Sequence, residues 1–305
     1  MQASIQLLPA HQIDRQKWDT CVDNNENGII YSQTRFLNAM ADNWHGLIIG
    51  DYATVLPIPW RKKWGIRYAY VPAFMQQQGF TGELNESLLA KAIEVLFQWI
   101  SYGDFQFNFS NKQLIPILPN LIGRTNQKID LNKKHIELYQ NFSADAKRNI
   151  QQAAKETFQI ETSWNEEIWD LFYQQMKYPN APNRHEIQQF KNACEIFSQT
   201  NQCIVRWVKD EQTGLQAGWV GLSDKRRIYN LLNLTTLGGR KTGANYFLID
   251  QVLREFSEQP LWFDMEGSTL PGVQAFYQNW GAHKEIYFHL HHNQLPIPLR
   301  WIKRR

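Results

Sequence analysis

Little in this 305-residue chain points to a specialised environment. It has three cysteines, Cys21, Cys194 and Cys203. The number is odd, and no pair has CxxC or zinc-ligand spacing, so the sequence predicts reduced, mostly buried thiols in a cytoplasmic protein. Charge of one sign is scarce too. With 32 Lys and Arg against 29 Asp and Glu, the formal charge is +3, too small to imply nucleic acid by itself. No apolar run reaches the ~20 residues that span a bilayer, so no transmembrane segment is expected. Met1–Ala10 lacks a basic region and a long apolar stretch, so no signal peptide is expected either. No low-complexity stretch occurs, and no Gly, Pro or Ser-rich linker suggests a swinging tether.

What is present is globular material. The chain is 43% apolar and 20% charged, and its length suits two domains better than one core. Twelve Trp and seventeen Phe are generous, most of them destined for the core. Two stretches read as passes through one plan: three strands, a Gly-bearing loop, a helix and a further strand. The first has a hairpin (Leu47–Ile49, Thr54–Ile58), a basic turn Arg61-Lys62-Lys63, and the strand Ile66–Val71. Its loop holds Gly79 and Gly82, and its last strand is Phe105–Ser110. The second has Cys203–Val208, Ala217–Leu222, the basic turn Lys225-Arg226-Arg227 and Ile228–Leu232. Its loop carries Gly238, Gly239 and Gly243, and its last strand is Leu261–Glu266.

Helical spacing is clear after each loop. Leu89, Ala92, Ile93, Leu96, Phe97 and Ile100 recur on one face, with Asn85 or Ser87 as a cap. Leu248, Ile249, Val252, Leu253 and Phe256 do the same in the second copy, ending before Pro260. Between the copies, Ser143 caps a predicted helix through Ala154, with Asp145 well placed in its first turn. Ile160–Trp164 reads as a strand, Ile168, Leu171 and Phe172 mark a helix, and Ile187, Phe190, Cys194 and Phe197 mark another.

The copies differ where chemistry is expected. Alternation puts Gln106, Asn108 and Ser110 on one face of the first copy's last strand, and Trp262, Asp264 and Glu266 on the matching face of the second. Two acids about 7 Å apart raise one another's pKa, and one can then serve as a base near neutral pH. The alternative is that both are solvated, or that they satisfy amides opening a helix at Leu270-Pro271-Gly272. The loop Gly238–Ala244, with Arg240 and Lys241, offers amides suited to a pyrophosphate or carboxylate. Its plain reading is a strand-to-helix turn with a solvated basic pair.

Smaller signals have structural readings. His289 and His291 share a strand face, but no acid or Cys accompanies them at metal-ligand spacing, so no metal is expected. Trp60–Trp64 and the tail Arg300–Arg305 interleave basic and aromatic residues. A basic turn and a solvated tail explain both, although either can serve a tRNA or an anionic membrane surface.

Arg240-Lys241-Thr242-Gly243-Ala244-Asn245, lying between a strand and a helix, resembles the Arg/Gln-x-x-Gly-x-Gly/Ala loop of the GNAT acyltransferase superfamily, with Asn245 in the sixth slot. Asp264-Met265-Glu266-Gly267-Ser268, followed by Pro271-Gly272-Val273 and Phe276–Gly281, resembles the terminal pattern of Fem-like double-GNAT proteins. Lys147-Arg148-Asn149-Ile150 resembles their Arg-x-Asn-Ile helix. Pro72–Gly79 resembles a turn of bacterial Fem-like members. The resemblance covers most of the chain, but the long helical arm of some members is absent.

It implies an α/β (α+β) fold of two tandem GNAT-like domains, each a twisted mixed sheet flanked by helices. The domains would be residues 1–135 and 136–305, with a helical insert at about 143–199. The implied function is acyl or aminoacyl transfer to an amine in an inter-domain cleft, in cell-envelope metabolism. Acyl-CoA (acetyl-CoA) or aminoacyl-tRNA would be the donor, and a small molecule or cell-wall precursor the acceptor. Asp264 or Glu266 would be the base, and Gly238, Gly239, Arg240, Lys241, Thr242, Gly243, Ala244 and Asn245 would hold the donor. Arg148, Asn149, Gln76, Gln77, Gln78, Tyr229 and Tyr277 would line the acceptor site, although adjacent Gln residues in a turn are commonly solvent-exposed. The alternative is a non-catalytic ligand-binding protein on a degenerate acyltransferase fold.

Overall fold

The computed structural model describes residues 4–179, 181–267 and 271–302. Ser268 and Leu270 of the motifs above, and Lys303, Arg304 and Arg305 of the tail, lie outside the described residues. The chain begins with β1 (Ile5–Pro9), α1 (Arg15–Asn24), α2 (Thr34–Met40), β2 (Trp44–Ile49), β3 (Thr54–Lys63) and β4 (Ile66–Ala69). The short β5 (Thr81–Gly82), α3 (Glu86–Trp99), β6 (Tyr102–Phe107) and β7 (Ile122–Asp130) follow. Next come α4 (His135–Gln140), α5 (Ala144–Ala153), β8 (Gln159–Glu161), α6 (Glu166–Gln175) and α7 (Arg184–Ser198). The second repeat supplies β9 (Cys203–Asp210), β10 (Gly214–Ser223), β11 (Arg227–Thr235), α8 (Leu237–Thr242), α9 (Ala244–Glu255) and β12 (Trp262–Glu266). The chain then forms α10 (Pro271–Gln278), β13 (His283–Asn293) and α11 (Leu299–Ile302).

Local chemistry explains the helix starts. The Asn85 side chain accepts from the Leu88 amide at the head of α3, and Ser143 accepts from the Ala146 amide at the head of α5, each satisfying a donor the helix cannot. The predicted apolar face of α3 is buried at Leu89, Ala92, Ile93 and Leu96.

Two compact units result: Met1–Thr125 with Ile286–Arg305, and Asn126–Glu285. Each follows the same rule. Antiparallel strands form a meander, and a helical crossover then brings in a parallel neighbour. In unit 1 the sheet runs β1-β2-β3-β4-β6-β13, with β5 on β3. Here β4 is parallel to β6 through Ala69↔Gly103, and β6 is antiparallel to β13 from Phe107↔Phe288 to Tyr102↔Asn293. In unit 2 the sheet runs β8-β9-β10-β11-β12-β7, with β11 parallel to β12 and β12 antiparallel to β7.

The strand closing each sheet therefore comes from elsewhere in the chain. β7 follows the first repeat and pairs in unit 2; β13 follows the second and pairs in unit 1. A single cut at 135/136 would leave β13 with the second domain. The observed division instead assigns Ile286 onward to unit 1 and begins unit 2 at Asn126.

Each unit has its own core. Leu47, Leu56, Phe80, Leu96, Phe105, Phe107 and Leu290 centre one; Trp219, Leu248, Phe263, Met265 and Trp280 centre the other. The basic run Arg61–Lys63 belongs to β3, and the chain reverses instead at Trp64 and Gly65, with φ of 50° and 79°. β6 ends at Phe107, so Asn108 and Ser110 fall beyond the strand predicted to carry them. Among the described residues, no helix is long and apolar enough to cross a membrane.

Candidate active site

In unit 2 the parallel strands part early. β11 pairs with β12 only from Arg227↔Trp262 to Tyr229↔Asp264, whereas β11 continues with β10 to Thr235. Beyond Tyr229 the connection passes through a side chain. Asn230 Nδ2 donates over 3.4 Å to the Met265 carbonyl and to Tyr277 Oη, while Asn230 Oδ1 accepts from Trp219 Nε1 at 2.8 Å.

Glu266 sits at the parted end of β12. Its φ is 65°, the left-handed region that a non-glycine residue enters at a cost of order 1–3 kcal/mol. Its amide donates to Asp264 Oδ1 at 3.0 Å, and a bulge interrupts the pairing with β7 between Asp264 and Glu266. The regular alternation expected to set the two acids on one face is thereby broken.

Asp264 is held by other groups. Its side chain is 1% exposed. Arg227 Nη1 donates to Oδ2 at 2.8 Å and Asn126 Nδ2 to Oδ1 at 2.9 Å. The same guanidinium grips Glu285 through Nη1 at 2.7 Å and Nη2 at 2.9 Å, and Lys128 Nζ donates to Glu285 at 2.7 Å. Burial lifts the Asp264 carboxyl above its ordinary range; Arg227 opposes that rise and Glu285 adds to it. At Glu285, burial is outweighed by Arg227 and then Lys128, which hold the carboxyl below its usual range. The sequence places Arg227 in a basic turn; in the structure it opens β11, is 5% exposed and is the hub of this network.

Tyr277 is brought beside the acids. Burial, then Glu266 and Asp264, push its phenol well above the ordinary range, so the hydroxyl stays protonated. Tyr229 goes elsewhere: its hydroxyl donates to Asp224 Oδ2 at 2.6 Å.

The glycine loop is not an open cradle. Gly238, Gly239, Arg240, Lys241 and Thr242 form most of α8, capped by Thr236, and only Gly243 is left-handed, with φ of 78°. A Cβ on Gly239 would lie 2.3 Å from the Gln216 carbonyl oxygen, and one on Gly243 would lie 2.7 Å from that of Asn149. Both glycines thus admit neighbouring backbone, from β10 and α5, where a CoA pyrophosphate would need free approach. The adjoining cavity, about 490 Å³, is lined by Glu156, Asp210, Thr213, Gln216, Thr236 and Gly238, among others. Two carboxylates at its wall disfavour a polyanion. Ala244 and Asn245 begin α9, and Asn245 Oδ1 is buried without a partner. The residues present do not fit acyl-CoA in the manner the loop motif implied.

On α5, Arg148 is exposed and paired with Asp145, while Asn149 Nδ2 donates to the Asp145 carbonyl at 2.8 Å. Ser143 Oγ donates to Asn279 Oδ1 at 2.8 Å, and Asn279 Nδ2 donates to Tyr246 Oη at 3.0 Å. These bonds tie α5, α9 and α10 together.

Unit 1 treats its parallel junction differently. Gln78 enters beside β6: its amide donates to the Gln106 carbonyl at 2.7 Å, and it bridges Phe107. Gln77 and Gln78 are buried and Gln76 half-buried, contrary to the exposed turn expected of adjacent glutamines. Phe109 N donates to Gln77 Oε1 at 3.2 Å, whereas neither Nε2 nor Oε1 of the Gln78 side chain has a partner. Gly79, at φ 129°, has no room for a Cβ against Asn111 and Asn108.

The sequence reading also missed Asp104. Its Oδ1 lies 3.2 Å from His289 Nε2 and 2.9 Å from His291 Nδ1. β6–β13 pairing joins residues 185 positions apart, so no local spacing could signal it. Among the described residues, no His, Cys, Asp or Glu group is arranged to hold a metal.

No protein-family model and no curated protein matches the chain. Solved structures do. A crystal structure of FemX aligns at a TM-score of 0.71 with 14% identity, covering 98% of this chain and 100% of that one. L-PGS from Bacillus licheniformis aligns at 0.56 with 11% identity, covering 96% and 98%. A tandem GNAT protein from the clavulanic acid biosynthesis pathway aligns at 0.55 with 11% identity, covering 96% and 100%. At such identities the likeness speaks for architecture: the chain has a Fem-like double-GNAT fold.

Proposed function

We propose that the protein is an acyltransferase that joins an activated aminoacyl or acyl carbonyl to an amine, with Glu266 as the base. The observation carrying this reading is the strained backbone of Glu266 at the parted end of β12, beside a protonated Tyr277. Strain of this kind collects where a side chain must be aimed. The amine nitrogen attacks the carbonyl carbon, a C–N bond forms and the bond to the leaving oxygen breaks. Glu266 takes the amine proton and returns it to the leaving oxygen, which departs as a hydroxyl while the Tyr277 hydroxyl hydrogen-bonds to it.

Asp264, fully engaged by Arg227 and Asn126, serves in this reading to position the strand. The filled space over Gly239 and Gly243 favours an aminoacyl ester such as aminoacyl-tRNA over acyl-CoA as donor. FemX and L-PGS are the fold neighbours that lead us to place the acceptor among cell-envelope amines.

Mass spectrometry of an amine-bearing cell-wall precursor incubated with aminoacyl-tRNA tests the proposal. Wild type should add one aminoacyl mass, and Glu266→Gln should slow the addition about 10²–10⁴-fold. Turnover unchanged in that variant removes Glu266 from the mechanism. A second reading, a binding protein without chemistry, is favoured by the partnerless Oδ1 of Asn245. It predicts thermal stabilisation by the acceptor and no mass gain.

A further inference from the structure

Past the body of the sheet in unit 1, β3 and β4 run on as a two-stranded ribbon. β3 leaves β2 at Trp44↔Pro59, and β4 meets β6 only at Ala69↔Gly103. From Arg61↔Tyr68 to Lys63↔Ile66 the two strands pair with each other alone among the described residues. The ribbon is fixed at its base. Arg61 Nε donates to Asp42 Oδ2 at 2.6 Å, with its guanidinium 4.0 Å from the Tyr70 ring, and Trp60 Nε1 donates to His45 Nδ1 at 2.9 Å.

The tip carries an aromatic ring among cations. Trp64 is 80% exposed, more than any other large apolar side chain among the described residues. It holds φ of 50°, where a bulky residue is rare. Pairing and alternation set Lys63 beside Ile66 on one face and Lys62 beside Arg67 on the other, so exposed cations flank the tip on both faces. Lys63 Nζ lies 5.0 Å from the Trp64 ring. Residues 52–82 hold no Asp or Glu, and Asp42, at the base, is committed to Arg61. Lysines on a bare ribbon guard its edges against pairing with another chain, but a bared tryptophan adds nothing to that protection. An indole, apolar in its body and polar at its N–H, suits the boundary between a wet and an apolar phase. Ammonium groups on four-carbon stems reach the wet side of the same boundary.

We propose that the β3–β4 ribbon anchors the protein, tip first, to a bilayer surface carrying anionic headgroups. The Trp64 indole enters the interfacial layer, and Lys62, Lys63 and Arg67 meet lipid phosphates around it. Single-stranded nucleic acid fits less well. Such sites stack successive bases on several rings, and here Trp60 and Tyr68 are half-buried, which leaves Trp64 as the ribbon's one bared ring. The contact is peripheral and reversible, and it stands or falls independently of Glu266.

Co-sedimentation of the full chain with vesicles tests it, comparing equal parts phosphatidylglycerol and phosphatidylcholine with phosphatidylcholine alone. Wild type should partition at least about tenfold more strongly to the anionic vesicles, and the preference should fade as salt rises. Lys62→Gln with Lys63→Gln should lower anionic partitioning about thirtyfold at low salt. Trp64→Ser should lower it about tenfold while leaving the steepness of the salt dependence unchanged, a split that a purely electrostatic contact would not show. All three side chains are exposed, so the variants should keep the wild-type melting temperature and transfer activity. No partitioning to anionic vesicles at low salt, equal partitioning to both compositions, or full partitioning in Trp64→Ser overturns the proposal. So does tRNA binding, measured by filter retention, that falls in these variants while vesicle binding holds.

Discussion

The parallel junctions of the two units start from one plan and are finished differently. In unit 1, β4 meets β6 at Ala69↔Gly103 and main chain fills the gap: Gln78 takes the Gln106 carbonyl, and Asn108 and Asn111 grip the backbone at Phe80. In unit 2, β11 and β12 are paired through Tyr229↔Asp264, and side chains occupy the parted end: Asn230, Tyr277 and Glu266. A buried Arg227–Asp264–Glu285 network holds the second junction where neutral amides hold the first. A gap closed by backbone is inert, whereas a gap edged by a tyrosine and a strained glutamate has groups able to move a proton.

The largest expected effect comes from breaking the charged junction. Arg227→Met leaves two buried carboxylates without their shared partner and should cost about 3–5 kcal/mol in denaturant unfolding. Replacing Arg227, Asp264 and Glu285 together by apolar residues of similar volume should recover most of that loss. The neutral junction has a weaker counterpart. Gly79→Ala forces a Cβ to within 2.4 Å of Asn111 Oδ1 at a left-handed position and should cost about 1–3 kcal/mol by the same measurement.

Relieving strain should act in the opposite direction. Glu266→Gly places the permissive residue at φ 65° and should raise stability by about 0.5–1 kcal/mol, because the relief of strain exceeds the added chain entropy of glycine. The smallest effect belongs to the surface. Arg148→Ala removes an exposed pair with Asp145 and should stay within about 0.5 kcal/mol of wild type.

Much of this architecture was legible in local sequence. The caps at Asn85 and Ser143, the apolar stripes of α3 and α9, and the repeated meander all depend on neighbours within a few residues, and all formed as read. Strand exchange was not legible, because the partner of β6 lies far along the chain and nothing in either strand names it. The run Lys225-Arg226-Arg227 reads as a basic turn. Only the tertiary pairing with Asp264 and Glu285 makes its last member a buried hub. Alternation placed Asp264 and Glu266 on one face, but a bulge and a left-handed residue have no signature in Asp-Met-Glu. The glycines of the loop were visible; that Gln216 and Asn149 would occupy the space they leave was not.

The most direct test measures turnover and unfolding free energy together in Glu266→Gly. The account predicts a protein more stable than wild type that no longer adds the aminoacyl mass. A variant that keeps wild-type turnover, or one that loses stability, contradicts it.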